Sequence, residues 1–181
     1  MYARFLETQR FRQIWIWFVL LFVLAFPLWH LSQYLLALER HTLHTSYTAL
    51  IIGDIGSLLI FLLFISVRLK TRIDESGIYY QFKPVHLREN KISWDEVAAI
   101  YVRKYSPIGE YGGWGMRYTR HHGRAYNISG NQGMQIILKN QKKILIGTQK
   151  SEEVNDVLIQ LKKAGIIKEN VDESITSKDR F

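Results

Sequence analysis

The sequence of 181 residues contains no cysteine, and this absence excludes several classes of site. A disulfide framework, thiolate-ligated zinc, an iron–sulfur cluster and a cysteine nucleophile all require that residue. Acidic residues are also scarce, since 16 Asp and Glu stand against 24 Lys and Arg, and the formal net charge is +8. A basic balance of this kind fits nucleic acid or an anionic membrane surface as the partner. The length excludes a large multidomain enzyme.

Polar residues are nearly missing from two stretches, residues 14–38 and 47–67, and these stretches decide between the two partners. The first is longer than the roughly 20 residues with which a helix crosses a bilayer. It is also longer than the apolar core of a signal peptide, which has about 7–15 residues. The second contains Asp54 as its only charged residue. The sequence therefore predicts a membrane α-helical hairpin, and we expect membrane lipids rather than nucleic acid as the partner.

The positions of Lys and Arg predict the orientation of this helical hairpin. The basic residues at its two outer ends are Arg4, Arg10, Arg12, Arg68, Lys70 and Arg72. The intervening loop, residues 39–46, has only Arg40, which is next to Glu39. Because cytoplasmic segments carry the excess of Lys and Arg, we expect a multi-pass protein of the plasma (inner) membrane with both termini in the cytoplasm.

Asp54 is the most informative residue of the two spans, because ionisable groups inside a bilayer usually face another helix or water. His30, in the first span, is about as far from the connecting loop as Asp54 is in the second. At the helical rise of about 1.5 Å per residue, the two side chains reach the same depth. We therefore predict an intramembrane polar contact between them. Two interpretations stay open, a clamp that holds the helices or an oligomer together and a site that handles ions or protons.

The chain after residue 67 shows the alternation of apolar and polar residues that is typical of half-buried strands. About six or seven such strands fit before residue 147, with a β-hairpin turn at residues 140–142. A helix follows, since four apolar residues recur at helical spacing: Val154, Val157, Leu158 and Leu161. Ser151 is placed to cap this helix.

Four regions follow from these patterns. Residues 1–13 form a cytoplasmic N-terminus, and residues 14–67 form the helical hairpin. Residues 68–168 form a cytoplasmic domain, and the polar tail, residues 169–181, is expected to be disordered.

Several motifs resemble a known family. They are G-I-Y-Y at residues 77–80, K-I-S-W-D-E-V at 91–97, Y-S-P-I-G-E-Y-G-G-W-G-M-R at 105–117, G-R-A-Y-N-I-S-G at 123–130 and I-L-I-G-T-Q-K at 144–150. With an antiparallel strand series closed by one amphipathic helix, the chain resembles the bacterial pleckstrin-homology-like (PH-like) domain found behind two transmembrane helices in small membrane proteins. The resemblance implies a mainly-β PH-like split barrel with a C-terminal capping helix. Similar folds bind lipid headgroups or peptides, but the resemblance transfers no binding residue to this chain.

The strongest positive cluster of the predicted domain lies in residues 111–124. Tyr111 and Trp114 stand among glycines there, and they precede Arg117, Arg120 and Arg124. We expect the aromatic pair to form an exposed tip that, with the arginines, contacts anionic lipid headgroups or a protein partner. The alternative for so many glycines is a set of β-bulges or tight turns without a binding role. Each Lys or Arg near an anionic leaflet adds about 1 kcal/mol of attraction. An ordinary solvated surface is the alternative.

Catalytic motifs are missing from the sequence. It contains no G-x-S-x-G elbow or P-loop, and no acid–base pair stands out. The adjacent His121 and His122 would point to opposite faces of a strand, which disfavours a metal site. We therefore expect a non-enzymatic membrane-anchored interaction or scaffold protein without catalytic residues, cofactor or metal. Its partners would be anionic headgroups, a protein or a second copy of the chain. The alternative function is an accessory or pore-forming component of a small transporter or channel that uses Asp54.

Overall fold

A computed structural model of the chain describes residues 5–11, 13–39 and 48–167. The chain divides into two compact units, one formed by Phe11–Val67 and the other by Met1–Arg10 together with Arg68–Phe181. We call them the helical unit and the β unit. The expected tail, and the expected helix-connecting loop from residue 40 onwards, lie outside the described residues.

Two antiparallel helices form the helical unit, α1 (Ile14–Glu39) and α2 (Thr48–Ser66). The rings of Phe11, just before α1, and Phe64, near the end of α2, lie 5.9 Å apart. Further along, His30 of α1 is close to Asp54 of α2. Because a later residue of α1 meets an earlier residue of α2, the helices run in opposite directions.

Most large apolar side chains of these helices are exposed, with Phe22 and Ile52 among them. Within the described residues, one helix is long and apolar enough to cross a membrane, over Ile14–Leu36. The apolar part of α2, Ile51–Ser66, is shorter. The expectation of two spans is therefore met in length and composition by the first helix only.

The first sheet of the β unit is antiparallel. Its strands, in spatial order, are β1 (Phe5–Arg10), β2 (Arg68–Asp74), β3 (Gly77–Lys83) and β4 (Asn90–Ile92). A tight turn at residues 75–76 joins β2 to β3, where Asp74 pairs with Gly77. At the opposite end of the sheet, Arg68 lies between its two register partners, Arg10 and Lys83.

The strand β1 corrects the expected division of the chain. Residues 1–13 were predicted to lie outside the domain, but Phe5–Arg10 pairs with β2 from Ile73 to Arg68. The missed signal is a short alternation, in which Phe5, Glu7 and Gln9 face inward. Two of these three inward residues are polar, so the apolar pattern that identifies a half-buried strand is lacking.

The second sheet has five strands. They are β5 (Val97–Lys104), β6 (Gly115–Thr119), β7 (Gly123–Asn127), β8 (Gln132–Leu138) and β9 (Lys143–Gly147), in the spatial order β5-β8-β9-β7-β6. The predicted β-hairpin at residues 140–142 is confirmed, because β8 and β9 are antiparallel neighbours. The series is not antiparallel throughout, since β9 lies between β8 and β7 and runs parallel to β7. A 3₁₀ turn (Trp94–Glu96) precedes β5, and the short helix α3 (Pro107–Tyr111) follows it.

The predicted C-terminal helix is confirmed as α4 (Ser151–Lys163), and its four predicted apolar residues are buried. It contacts β1 of the first sheet and both β5 and β8 of the second. Ser151 is the first helical residue rather than the cap, a position that Lys150 takes without a side-chain hydrogen bond. One helix therefore packs on strands of both sheets.

Polar side chains of β1 join the two sheets inside the β unit. The buried Glu7 accepts hydrogen bonds from the Thr148 hydroxyl at 2.7 Å and from the Gln149 backbone N–H at 2.9 Å. The Gln9 amide donates to the Gly147 carbonyl at 2.6 Å. Because burying a polar group is costly unless it is hydrogen-bonded, these contacts fix the first strand against the end of β9.

Candidate anion-binding site

Two turns of the second sheet lie side by side, and the parallel pairing of β7 with β9 is the cause. β7 begins directly after the turn at residues 120–122, and β9 begins directly after the turn at residues 139–142. Arg124 of β7 and Ile144 of β9 are register partners. Since the strands run in the same direction, the turns before them meet at one edge of the sheet.

Gly123 permits the close approach of the two turns. Its φ angle is +78°, and a Cβ at this position would lie 2.2 Å from the Lys143 carbonyl oxygen. Glycine alone combines that backbone conformation with the absence of a side chain. The strands that follow the two turns, β7 and β9, are therefore held directly against each other.

The two turns and the strands beside them enclose a depression of about 550 Å³, which we call the basic depression. Its lining residues are Tyr118, Arg120, His121, Gly123, Arg124, Gln141, Lys142, Lys143 and Ile144. Two arginines, two lysines and a histidine contribute to this lining, whereas no acidic residue does. Arg and Lys are the side chains that bind phosphate and carboxylate groups, so the depression suits an anion.

Within the part of the chain that the structure describes, the side chains of Arg120, Arg124 and Lys142 have no ion-pair partner. Arg120 and Arg124 are exposed. Tyr118, 72% exposed, is the register partner of Arg124 on the neighbouring strand β6. An aromatic ring with a polar tip stands beside these cations, and this combination is common at membrane–water interfaces.

Tyr111 does not form the exposed tip that the sequence predicted. It is 3% exposed and belongs to a core cluster with Tyr105, Ala125 and Leu145. Burial raises the pKa of its phenol to about 12. Its hydroxyl donates to the His122 carbonyl at 3.2 Å, so the residue supports the turn that carries Arg120 rather than contacting a partner. The prediction failed because glycines on either side of an aromatic residue give no information about its burial.

Trp114 and Arg117 lie outside the basic depression. Trp114 is half-buried, and its indole N–H donates to the Gly130 carbonyl at 3.0 Å. Arg117 is exposed and donates from Nε to the Trp114 carbonyl at 3.1 Å. Of the five residues predicted for lipid or partner binding, the structure thus brings two together in the depression, Arg120 and Arg124.

The carboxylate of Glu110 lies close to the turn at residues 120–122. Glu110 of α3 accepts two hydrogen bonds from Arg103, at 3.2 and 2.6 Å, and one from the Ser106 backbone N–H at 2.7 Å. His122 Nδ1 lies 3.7 Å from Glu110 Oε2. Burial acts to raise the pKa of Glu110, but the Arg103 and Ser106 hydrogen bonds and the charges of Arg103 and His122 outweigh it and lower that pKa.

The helical unit contains the other predicted polar contact. His30 Nδ1 and Asp54 Oδ1 are 3.4 Å apart, within hydrogen-bond distance. The His30 ring also packs edge-on against Phe26, with 4.1 Å between ring centroids. A polar pair therefore connects α1 and α2 amid apolar side chains.

Sequence reasoning missed Lys142 and Lys143 as neighbours of the arginines. The turn that contains Lys142 was predicted, but its proximity to the turn at residues 120–122 depends on the parallel pairing of β7 with β9. Gly123, followed by Arg124, was the available signal, because a glycine at the start of a strand often marks a close backbone approach.

Among the residues that the structure describes, no group of three or more histidine and acidic side chains is placed to hold a metal ion. No protein-family model matches the chain, and no curated protein matches it at a significant level.

Proposed function

We propose that the chain is a non-enzymatic, membrane-anchored binding protein whose β unit contacts anionic lipid headgroups through the basic depression. The basic depression carries this proposal, because it gathers Arg120, Arg124, Lys142 and Lys143 without a lining acid. Near an anionic leaflet each such cation contributes about 1 kcal/mol, and the attraction is screened by salt. Contact with a membrane tethered to the same chain needs no high intrinsic affinity, because the tether supplies a high effective concentration.

Anchorage in the membrane is supported by α1 and by the register of β1 with β2. The chain leaves the first sheet after Arg10 and re-enters it at Arg68, and these two residues are partners. A segment that starts and ends at one position crosses a bilayer an even number of times. If α1 crosses once, α2 supplies the return. Its 19 residues extend about 28 Å at the helical rise, close to the ~30 Å hydrocarbon thickness.

Orientation and fold complete the proposal. The cations Arg10, Arg68 and Lys83 form a row across the sheet where the chain continues into the helices. Such a row favours the cytoplasmic side of the plasma membrane for the β unit and both termini. Two sheets that share α4 support a PH-like split barrel, although the parallel β7–β9 pair departs from an antiparallel series.

Single cysteines test the topology, since the natural sequence has none. A cysteine at position 42 should react with an impermeant reagent from outside the cell, and one at Lys139 should react only after the membrane is opened. Labelling of position 42 from the cytoplasm only, or of position 139 from outside, contradicts the orientation.

The headgroup contact is testable in the full chain reconstituted in lipid nanodiscs. A fluorophore on His121→Cys, which lines the basic depression, reports quenching by lipids that carry a nitroxide on the headgroup. We expect stronger quenching in phosphatidylglycerol discs than in phosphatidylcholine discs, and a loss of the difference at high salt.

Matched charge-removal variants give this test its control. Replacing Arg120, Arg124 and Lys142 by Gln should abolish the difference between the two lipids. Replacing Lys104, Arg117 and Lys163 by Gln removes the same charge from exposed positions outside the depression and should retain most of the difference. A His121 probe that is indifferent to lipid charge contradicts headgroup contact, and the depression would then serve a soluble anion or an acidic protein.

Transport through the helical unit is the second candidate, and the His30–Asp54 contact favours it. An ionisable pair between apolar helices can relay protons or ions, but it can also act as a clamp. Asp54→Asn separates the two roles. Loss of a proton or ion flux in vesicles with intact helix association supports transport, whereas a change confined to helix association or oligomeric state supports the clamp.

A further inference from the structure

The loop between β3 and β4 carries two exposed apolar side chains. Leu87 is 90% exposed and Val85 is 56% exposed. His86, which lies between them, is half-buried and points to the interior. The loop therefore alternates, with its apolar side chains outward and its imidazole inward.

His86 fixes this loop to the body of the β unit. Its Nδ1 accepts from the Phe82 backbone N–H at 3.3 Å and lies 2.9 Å from the Asn90 side-chain amide. Its ring packs against Tyr126, with 5.3 Å between centroids. The Gln81 amide donates to the carbonyls of His86 and Leu87 at 3.1 and 3.0 Å. These contacts fix the backbone of the loop, and the side chains of Val85 and Leu87 therefore stay directed outward.

The register of the first sheet places this loop at the end of the sheet where β1 ends and β2 begins. The loop begins after Lys83, the partner of Arg68, which in turn pairs with Arg10. Val67, the residue before Arg68, separates β2 from the end of α2. The loop thus leaves the sheet at the end from which the chain continues into its apolar helices.

The charges around the loop are mainly positive, which suits a surface that contacts anions. Lys83 and Arg88 flank Val85 and Leu87 on either side. Glu89, the one acid of residues 83–89, is neutralised by Lys70 Nζ at 2.8 Å and Arg72 Nη2 at 3.8 Å.

Arg124, one cation of the basic depression, acts on the histidine of the loop. Arg124 lies on the same face of β7 as Tyr126, two residues away, and Tyr126 contacts His86. Burial lowers the pKa of His86, and the charge of Arg124 adds to this effect. The His86 imidazole thus interacts electrostatically with Arg124, one of the cations that line the depression.

We propose that the β3–β4 loop inserts Val85 and Leu87 into the interfacial layer of an anionic bilayer, beside the headgroups that the basic depression binds. This inference rests on the proposed membrane anchorage. The loop supplies apolar contact, and the cations around it supply attraction to the surface. The two contacts together would hold the β unit in one orientation on the membrane.

Single-cysteine variants of the full chain test the insertion. An environment-sensitive fluorophore is placed on Leu87→Cys, on Phe22→Cys in α1 and on Ile159→Cys, an exposed apolar position in α4. The protein is reconstituted in vesicles that contain phosphatidylglycerol and nitroxides on the upper acyl chain. We expect quenching and a blue shift for the probes at 87 and 22, and an aqueous spectrum for the probe at 159.

Hydrogen exchange of the unlabelled chain avoids the apolar character of the probe. The backbone amides of residues 84–89 should exchange at least about tenfold more slowly in phosphatidylglycerol nanodiscs than in neutral detergent. The free energy of inserting a leucine side chain into an apolar layer corresponds to at least that factor. The Val85→Ser, Leu87→Ser double variant should lose this protection. Its fold should be retained, since both side chains are exposed.

The outcomes separate the loop from the anchorage. A lipid-embedded probe at 22 with an aqueous probe at 87 overturns the insertion and leaves the membrane anchorage in place. An aqueous probe at 22 overturns the anchorage, and the insertion with it. Protection of residues 84–89 that persists in the double serine variant also overturns the proposal, because a contact other than apolar insertion then causes it.

Discussion

The helical unit and the β unit differ in how the chain builds them. The helical unit is a single continuous segment, Phe11–Val67, whereas the β unit joins two segments that this helical insertion separates. In the first, neighbours in sequence determine the structure, and long apolar runs reveal it. In the second, essential contacts connect residues more than a hundred positions apart, as between Glu7 and Thr148. The difference shows that local sequence patterns can predict the structure of a continuous unit, whereas they cannot predict that of a unit divided between two segments.

The largest expected effect comes from breaking the divided unit at its shorter segment. A fragment of residues 68–167 lacks β1 and should not fold cooperatively, because Leu69 and Ile73 of β2 are fully buried and would lose cover. A fusion of residues 5–10 to residues 68–167 through a short turn should fold, since Arg10 and Arg68 are partners. Circular dichroism during thermal unfolding measures both. Equal cooperativity of the two proteins would show that β1 is dispensable.

Glu7 tests the same long-range contact within the intact chain. Glu7→Ala removes the acceptor of the Thr148 hydroxyl and of the Gln149 N–H. Of these two donors the Thr148 hydroxyl is buried, and an unsatisfied buried group costs about 1–3 kcal/mol. Thr8→Ala, at the neighbouring exposed position, should change the free energy of unfolding by less than about 0.5 kcal/mol. Denaturant unfolding in detergent compares them. Similar values for the two variants would contradict a tie between the sheets at Glu7.

The close approach of Gly123 to Lys143, which lies twenty residues later in the chain, should contribute less to the free energy of unfolding than the Glu7 contacts. Gly123→Ala places a Cβ against the Lys143 carbonyl, whereas Gly130, with a similar φ of +77°, has no atom within 4 Å of the same position. Both substitutions incur the left-handed backbone cost of about 1–2 kcal/mol, so the excess at 123 measures the close approach. We also expect weaker headgroup quenching at His121 for Gly123→Ala alone. Equal losses of stability would mean that the two turns separate freely.

The smallest effect is expected from Glu110, whose partner Arg103 is seven residues away. Burial opposes the shift, but the Arg103 and Ser106 hydrogen bonds hold the pKa of Glu110 below its ordinary value of 4.5. The carboxylate therefore contributes stability above pH 4.5 that is lost as the pH falls through the lowered pKa. Unfolding midpoints measured across the acid range should depend less on pH in Glu110→Gln. An unchanged dependence in that variant would assign the acid sensitivity to other groups.

Arg103→Gln provides the control for this pH effect. If the two side chains act as a pair, the Arg103→Gln, Glu110→Gln double variant should show the same pH dependence as Glu110→Gln alone. A further change in the double variant would mean that Arg103 acts on a second acid.

How well the sequence predicts each part of the structure depends on the same sequence separations between contacting residues. The apolar run of α1, the helical spacing of α4 and the turn at residues 140–142 are local patterns, and the sequence revealed all three. The strand β1 was missed because two of its three inward residues are polar and find their partners beyond residue 146. The basic depression was found in half, through Arg120 and Arg124. Lys142 joins them only through a parallel pairing that no local pattern encodes.

The pairing of Arg10 with Arg68 also sets an order of events during synthesis. β1 emerges from the ribosome before β2, its neighbour among the described strands, and β2 emerges only after all of residues 11–67. Until then β1 is an open strand edge, the kind of edge that invites wrong pairing, and its charged Glu7 and Arg10 discourage such pairing. In the proposed arrangement, the helices enter the bilayer before the first ladder can close. Closure of the β1–β2 ladder would then mark, within one molecule, that insertion is complete.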